Sequence, residues 1–307
     1  MAKLITEHHH GADLYSDGAV EDELLALFKA GGDISAVLRE DKRWPVLYHL
    51  SPERRNLLEW FPFRKEGNLL EIGAGCGALT GFFAEKVGQV TAVELSAKRS
   101  QIIYERYRKN ENLKIIAGNI CDFQPQADPP VAVKFEGKFD YITLIGVLEY
   151  ARSFLKGDAP AGQLLELGRA LLKPDGVLIV AIENKFGLKY FAGAREDHSG
   201  RSFESLEGYQ ADSPAETWSR DELSALLSRT GFVSQRFYYP YPDYKLPAEI
   251  FSDDYLPEIN HIFQDAPNYD RDRYRIFSEK LALANLVENR KFDFFANSFL
   301  VLASVKK

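Results

Sequence analysis

The chain predicts an α/β fold in which short parallel strands are joined by helical crossovers. Three observations carry this. The apolar run Leu69–Ile72 enters a turn with glycine at alternate positions, Gly73, Gly75 and Gly77, as backbone does where it must approach a ligand closely. Helix-compatible residues Ala78–Val87 then lead to a second apolar run, Gln89–Val93, which ends at Glu94. From Asn68 to Ile182 short apolar runs alternate with helical spacing, the pattern of a parallel sheet with crossovers.

The elements follow in order. Residues 1–62 predict a helical preface. Asp22–Ala30 has helical apolar spacing and stops at Gly31-Gly32, and Trp44–Phe61 is a second helical stretch, broken at Ser51-Pro52 and ended by Pro62. Strands are expected at Leu69–Ile72, Val90–Val93, Leu113–Ala117, Phe139–Ile145 and Val177–Ile182. Helices are expected at Leu79–Val87, Ala97–Lys109 and Gln163–Leu172. Lys173-Pro174-Asp175-Gly176 reads as a turn, and so does Asp128-Pro129-Pro130. Residues 184–216 break the rhythm with glycines, aromatics and charges, as functional loops do. Ser219–Thr230 returns to helix, with Ser219 as N-cap and Gly231 as the stop. Phe232–Tyr239 and Phe294–Val305 are the last two strands, around an irregular, aromatic and proline-rich insertion at 240–275.

At 307 residues, with 45% hydrophobic and 27% charged residues, the chain has enough material for one large core. The net charge of -7 disfavours a nucleic-acid partner, whose phosphates reward basic surfaces. The two cysteines, Cys76 and Cys121, lie far apart without metal-ligand spacing, which points to a reducing compartment. There is no apolar core of a signal peptide and no run long enough to span a bilayer, so a cytoplasmic protein without membrane insertion is expected. Adjacent residues such as His8-His9-His10 do not converge on one ion; they read as a terminal tail, and no metal site is expected.

The glycine spacing differs from the Gly-x-Gly-x-x-Gly of dinucleotide sites, which seats a pyrophosphate on a helix N-terminus. A carboxylate at the end of the second strand, Glu94, suits the two hydroxyls of a ribose. Gly118-Asn119-Ile120-Cys121-Asp122-Phe123 follows the third strand, with a polar side chain beside an apolar one for an adenine. Phe139-Asp140-Tyr141-Ile142 leads to Gly146-Val147-Leu148-Glu149-Tyr150, and Leu172-Lys173-Pro174-Asp175-Gly176 precedes the fifth strand.

In this order, from Leu69 to Ile182, these blocks resemble class I S-adenosylmethionine-dependent methyltransferases. The resemblance implies a Rossmann-like seven-stranded methyltransferase sheet, with a helical N-terminal cap at 1–62 and a methyltransferase domain at 63–307 carrying lid insertions near 184–216 and 240–275. It implies S-adenosyl-L-methionine as cofactor, with Glu71, Gly73, Ala74, Gly75, Gly77, Glu94, Leu95, Asn119, Ile120 and Gly146 around it. The glycines would pass beneath the methionine and ribose, Glu94 would bind the ribose hydroxyls, Ile120 would pack on the adenine, and Gly146 would lie near the sulfonium. Asn119 stands where the family often has Asp. Glu183–Gly193, followed by Glu196-Asp197-His198-Ser199-Gly200, is similar to bacterial methyltransferases encoded with glycosyltransferases of surface-polysaccharide assembly.

The Asn/Asp-Pro-Pro-Tyr motif of base-modifying relatives is absent after the fourth strand, where Gly146-Val147-Leu148-Glu149 stands. With the acidic charge this points to a small-molecule or carbohydrate acceptor, no nucleic acid, and association with glycan-assembly enzymes. Methyl transfer to oxygen is mainly a matter of alignment, helped by a general base. His198 is the first candidate, oriented by Glu196 or Asp197, against a solvated loop histidine. Glu149, Tyr150 and Glu183, at strand ends, are alternative bases or hydrogen-bonding groups. Arg54 or Arg55 either pairs with the cofactor carboxylate or is an exposed helix charge. Tyr238, Tyr239, Tyr241 and Tyr244 either line a sugar cleft or pack the insertion. Two other readings keep the fold: an aminopropyltransferase-like enzyme, and a non-catalytic S-adenosylmethionine-binding partner subunit.

Overall fold

The computed structural model describes residues 1–9, 16–123, 135, 138–155, 157–261, 264–265, 267 and 272–306. The Asp128-Pro129-Pro130 turn, His10 and Tyr15 lie outside them. The described strands are β1 (Lys3–Ile5), β2 (Asn68–Ile72), β3 (Gln89–Glu94), β4 (Leu113–Ala117), β5 (Phe139–Ile145), β6 (Leu172–Glu183), β7 (Ser234–Tyr241), β8 (Glu249–Ser252) and β9 (Ser298–Ser304). Contacts divide the chain into two units, Met1–Leu144 with Ala170–Val177, and Ile145–Arg169 with Leu178–Lys307.

In the first unit the strands run in the order β1-β4-β3-β2-β5, all parallel. Their apolar runs are buried on both faces, with Leu69, Leu70, Ala92, Ile115, Ile116 and Ile142 fully enclosed, as parallel strands under helices must be. The preface forms helices Ala19–Ala30, Ile34–Glu40 and Trp44–Leu50 and a 3₁₀ turn Pro52–Leu57. Val20, Leu24, Phe28, Val46 and Leu50 pack with Cys76 of the glycine turn and Ile102 of helix Ala97–Tyr107. Each such side chain gains about 1.5–3 kcal/mol on leaving water. The preface is therefore seated directly on the glycine turn and the helix after β3.

In the second unit the C-terminal half of β6 pairs antiparallel with β9, β9 with β7, and β7 with β8. Helix Arg220–Arg229 begins with a full capping box, Ser219 and Glu222 exchanging side-chain and backbone bonds.

The pattern predicts seven strands, and the described residues hold nine. The additions are β1, inside the stretch expected to be helical, and β8, inside the insertion expected to be irregular. Three- and four-residue strands carry too little alternation to be read. β1 pairs with β4, and the backbone N–H of His9 donates to Thr6, so this segment is built into the unit in place of a free tail. Lys173-Pro174-Asp175-Gly176 belongs to β6 instead of standing apart as a turn, and Phe292–Phe295 is a short helix ahead of β9. Among the described residues, no helix is long and apolar enough to cross a membrane.

Candidate active site

In the first unit the residues expected around the cofactor gather at the C-terminal ends of β2, β3 and β4. Gly73, Gly75 and Gly77 have φ of 71°, 55° and 77°, a region that side chains with a Cβ rarely enter. The turn is tied to β3: the N–H of Gly73 donates to the Val93 carbonyl at 2.8 Å. The N–H of Gly75 donates to Oε2 of Glu94 at 2.8 Å, and that of Ser96 to Oε1 at 2.9 Å. Burial raises the Glu94 carboxyl above its ordinary range, against Arg99 and these two bonds. A Cβ on Gly75 would meet only His49 Cε1, at 3.9 Å, whereas one on Gly77 would press on Tyr107 and Ile103 at 3.1 and 3.2 Å. The turn is thus packed from below at Gly77 and open at Gly75.

Ile120 is buried, Ala74 is buried, and Leu95 and Asn119 are half-buried. The Asn119 carboxamide accepts from the Cys121 N–H at 3.0 Å. Glu71 lies deeper. Its carboxyl accepts from the Thr80 hydroxyl at 2.6 Å and is pushed up to about 8 by burial, so it is held as the neutral acid.

Beneath the turn, Arg99 bridges Glu21 at 2.7 Å and Asp17 at 2.6 Å, and Asp17 also bonds His49 Nε2 at 2.8 Å. Burial keeps the His49 imidazole below its usual value despite Asp17. Arg54 is buried over the Tyr48 ring, 4.3 Å from its centroid, and is not an exposed helix charge. Arg55 is half-exposed and paired with Glu85 at 2.5 Å.

In the second unit, Gly146 has φ 69° and donates its N–H to the Ala181 carbonyl at 3.0 Å. Glu149, in the turn after β5, and Glu183, the last residue of β6, converge with His198 of the 184–216 insertion. His198 Nε2 lies 3.7 Å from Glu149 Oε1 and 3.8 Å from Glu183 Oε2. Its Nδ1 bonds Glu196 at 2.7 Å, and Glu196 also accepts the backbone N–H of His198 and of Ser199. The Tyr150 ring meets the imidazole edge-on with centroids 5.0 Å apart. The His198 side chain is only 5% exposed, so it is not a solvated loop histidine. Burial opposes its positive charge, but Glu183, Glu149 and Glu196 together hold it well above the ordinary imidazole value. Glu149 is raised by burial, with His198 opposing.

Glu196 therefore orients His198, while Asp197 turns the other way. It pairs with Lys189 at 2.7 Å and Lys245 at 3.5 Å and accepts from the Tyr190 hydroxyl at 2.5 Å. Lys189 also meets Asp243 at 3.0 Å, and Lys245 bonds Glu183 Oε1. These two lysines and Asp243 escape a reading of the sequence for chemistry. The available signal is a lone charge inside an apolar run, since lysine is buried only when paired. Tyr239, Tyr241 and Tyr244 are buried; they pack the insertion and do not line an open cleft.

The sequence family described as "Methyltransferase domain" matches residues 47–235. Among curated proteins, the chain is similar to the ribosomal RNA small subunit methyltransferase A of Borreliella afzelii, 31% identical over 85 residues, covering 27% of this chain and 30% of the relative. The enzyme of the same name from Geobacter sulfurreducens is 43% identical over 54 residues, 18% of this chain and 20% of that one. The chain thus spans less than a third of the length of these relatives. Among solved structures it is similar to Haemonchus contortus phosphoethanolamine N-methyltransferase 1, in complex with phosphoethanolamine and S-adenosylhomocysteine. There the TM-score is 0.49 at 13% identity, covering 96% of this chain and 52% of that one. The CcbJ methyltransferase of Streptomyces caelestis gives 0.48 at 13%, covering 87% and 97%.

The curated relatives correct one expectation. The exclusion of nucleic acid, and with it the restriction to a small-molecule or carbohydrate partner, is overturned by relatives whose names place their activity on ribosomal RNA. The physical reason is that a whole-chain charge says nothing of the charge at one surface.

Proposed function

This chain belongs to the methyltransferase-domain family, and from that premise we propose that it methylates a hydroxyl oxygen, with Glu149 accepting the proton. It is an enzyme, and its methyl donor is S-adenosylmethionine; the aminopropyl and non-catalytic readings give way accordingly.

The first unit's residues fit the donor. Three left-handed glycines, with only His49 Cε1 at van der Waals distance from a Cβ on Gly75, let backbone approach a nucleoside, and each Glu94 oxygen keeps a lone pair beyond its backbone bond. We assign Glu94 to the ribose hydroxyls, Asn119 and Ile120 to the adenine, and the glycine turn to the remainder. When bound, the cofactor supplies an electrophilic methyl group that passes to the acceptor oxygen. Residues 1–62 serve as the cap that fixes the turn, and the insertions near 184–216 and 240–275 serve the acceptor.

The observation that carries the proton assignment is the Glu149 carboxylate. It is 1% exposed, and among the described residues neither oxygen has a hydrogen-bond partner. A buried carboxylate left this way accepts a proton readily. His198, fixed by Glu196, faces it and balances its charge. The acceptor we infer is a sugar hydroxyl. The likeness of residues 183–200 to surface-polysaccharide methyltransferases supports this, and the names of the ribosomal RNA relatives put RNA among the acceptors to be tested. The free thiols Cys76 and Cys121 support a cytoplasmic setting.

The test is formation of S-adenosylhomocysteine with panels of glycans and RNAs, followed by mass spectrometry of the product. A methyl ether on a sugar, lost in Glu149→Gln, is expected. A methylated nitrogen or carbon overturns the reading.

A further inference from the structure

Among the described residues, the buried cluster of the second unit is short of positive charge. Glu149, Glu183, Glu196, Asp197 and Asp243 face Lys189, Lys245 and His198, five carboxylates against three cationic groups. The lysines lie to one side, on Asp197, Asp243 and Oε1 of Glu183. On the other side, both oxygens of Glu149 and Oε2 of Glu183 are buried without a hydrogen-bond partner among the described residues, with His198 Nε2 at 3.7 and 3.8 Å as the cation they face. Buried carboxylates in this condition are strongly unfavourable unless paired or bound to a metal.

We infer that Glu149, Glu183 and His198 form a binding site for a divalent first-row cation. One ligand atom from each lies within 4.8 Å of the other two. The separations from Nε2, 3.7 and 3.8 Å, suit an ion with bonds of about 2.1–2.2 Å subtending angles near 120°. Rotation of the unpartnered Glu149 carboxylate closes the third side. Glu183 binds through Oε2 alone, because Lys245 holds Oε1. The His198 Nδ1 bond to Glu196 is the outer carboxylate that usually orients a metal-bound imidazole, and the ion takes the place of the Nε2 proton, which leaves to solvent on binding. One imidazole with two carboxylates selects the manganese-to-zinc series over calcium or magnesium, which prefer oxygen alone.

This deepens the reading above and rests on it for its purpose. An acceptor hydroxyl joining as a further ligand loses its proton more readily. One oxygen of Glu149 serves the ion, and the other takes that proton.

The experiment titrates the chelator-treated full chain with MnCl₂ and with ZnCl₂ by calorimetry, without cofactor or acceptor. His8, His9 and His10 are changed to Ala to remove the terminal triplet. One ion per chain is expected, bound at least about tenfold more weakly in Glu149→Gln, Glu183→Gln and Glu196→Gln. Binding of neither ion, or binding unchanged in all three variants, overturns the inference. X-ray absorption of the zinc-loaded chain, in which those three glutamates are unaltered, guards against misfolded variants. A shell of one nitrogen and carboxylate oxygens supports the site, and sulfur or several imidazoles overturns it. Hydroxyl methylation undiminished in chelator, with no ion bound, overturns this inference and leaves the proposed function standing. One ion bound per chain with no methylated hydroxyl supports the site and overturns that function.

Discussion

The backbone N–H of Gly75 donates to Oε2 of Glu94 across 2.8 Å, joining the turn after β2 to the end of β3. This one bond makes Glu94 both a support for the glycine turn and a candidate ligand for a ribose. Glu94→Ala removes both roles and should weaken S-adenosylhomocysteine binding by at least roughly tenfold, the worth of one or two charge-assisted hydrogen bonds. Glu94→Gln keeps one acceptor oxygen and should fall between. Calorimetric titration measures both; affinity equal to wild type in Glu94→Ala refutes the ribose assignment.

Gly77 differs from Gly75 in what surrounds it. Its φ is 77°, and a Cβ there presses on Tyr107 and Ile103 at 3.1 and 3.2 Å. Gly77→Ala should therefore destabilise the fold by about 1–3 kcal/mol through strain and crowding. Tyr107→Phe, which loses only the hydroxyl bond to the Gly77 carbonyl at 2.9 Å, should cost about 1 kcal/mol. Urea denaturation of the two variants gives the ordering; a Gly77→Ala midpoint at or above wild type rejects the packing argument.

Glu71 gives the chain a particular pH dependence. Burial pushes its folded carboxyl up to about 8, from 4.5 for an unshifted glutamate, although the Thr80 hydroxyl opposes this. Between these values the unfolded chain has already lost the proton that the folded chain retains. The stabilising contribution is thus complete below about pH 4.5 and is lost as pH rises towards 8. Its full size is at most about 4–5 kcal/mol. Glu71→Gln has no such proton to lose. The stability difference between wild type and Glu71→Gln should shift against wild type as pH rises from 5 to 8. His49, depressed by burial, has the opposite slope below pH 6.5, but it is common to both proteins and cancels. A difference flat across this range would show that Glu71 is ionised in the fold.

What the sequence made legible has a physical pattern. Leu113–Ala117 and Phe139–Ile145 are read to the residue because strands buried on both faces are mostly apolar, here interrupted only by Lys114 in the first and by Asp140 and Thr143 in the second. The glycine turn is legible because a left-handed backbone is a local demand that only glycine meets cheaply. Glu149 and Glu183 are legible as strand ends. Their meeting with His198 is not, because it depends on the path of an insertion without period. Nor are Lys189 and Lys245, whose burial is visible only once Asp197 and Asp243 are beside them. The preface reads as helices, yet its bond to the helix after β3 through Asp17 and Arg99 has no local signature.

That bond permits a test of how the preface supports the donor residues. Arg99 sits on helix Ala97–Tyr107, which starts just past Glu94, and holds Glu21 and Asp17 of the preface. Arg99→Met leaves Glu21, and Asp17 beside His49, without their cation. The expected loss is about 3–5 kcal/mol, because an uncompensated buried charge costs more than the pair gains. Changing Asp17→Asn and Glu21→Gln in the same chain removes the orphaned charges and should restore much of the loss, since apolar or neutral replacements of whole networks are often close to neutral. Chemical denaturation of wild type, Arg99→Met and the triple variant decides this. If the triple variant is no more stable than Arg99→Met, the network acts through packing of the arginine stem and not through charge. Cofactor affinity separates the second role: with the preface anchored only by its apolar residues, the triple variant should fold yet bind S-adenosylhomocysteine more weakly, because Glu94 and the Gly75 turn lose the rigid base beneath them.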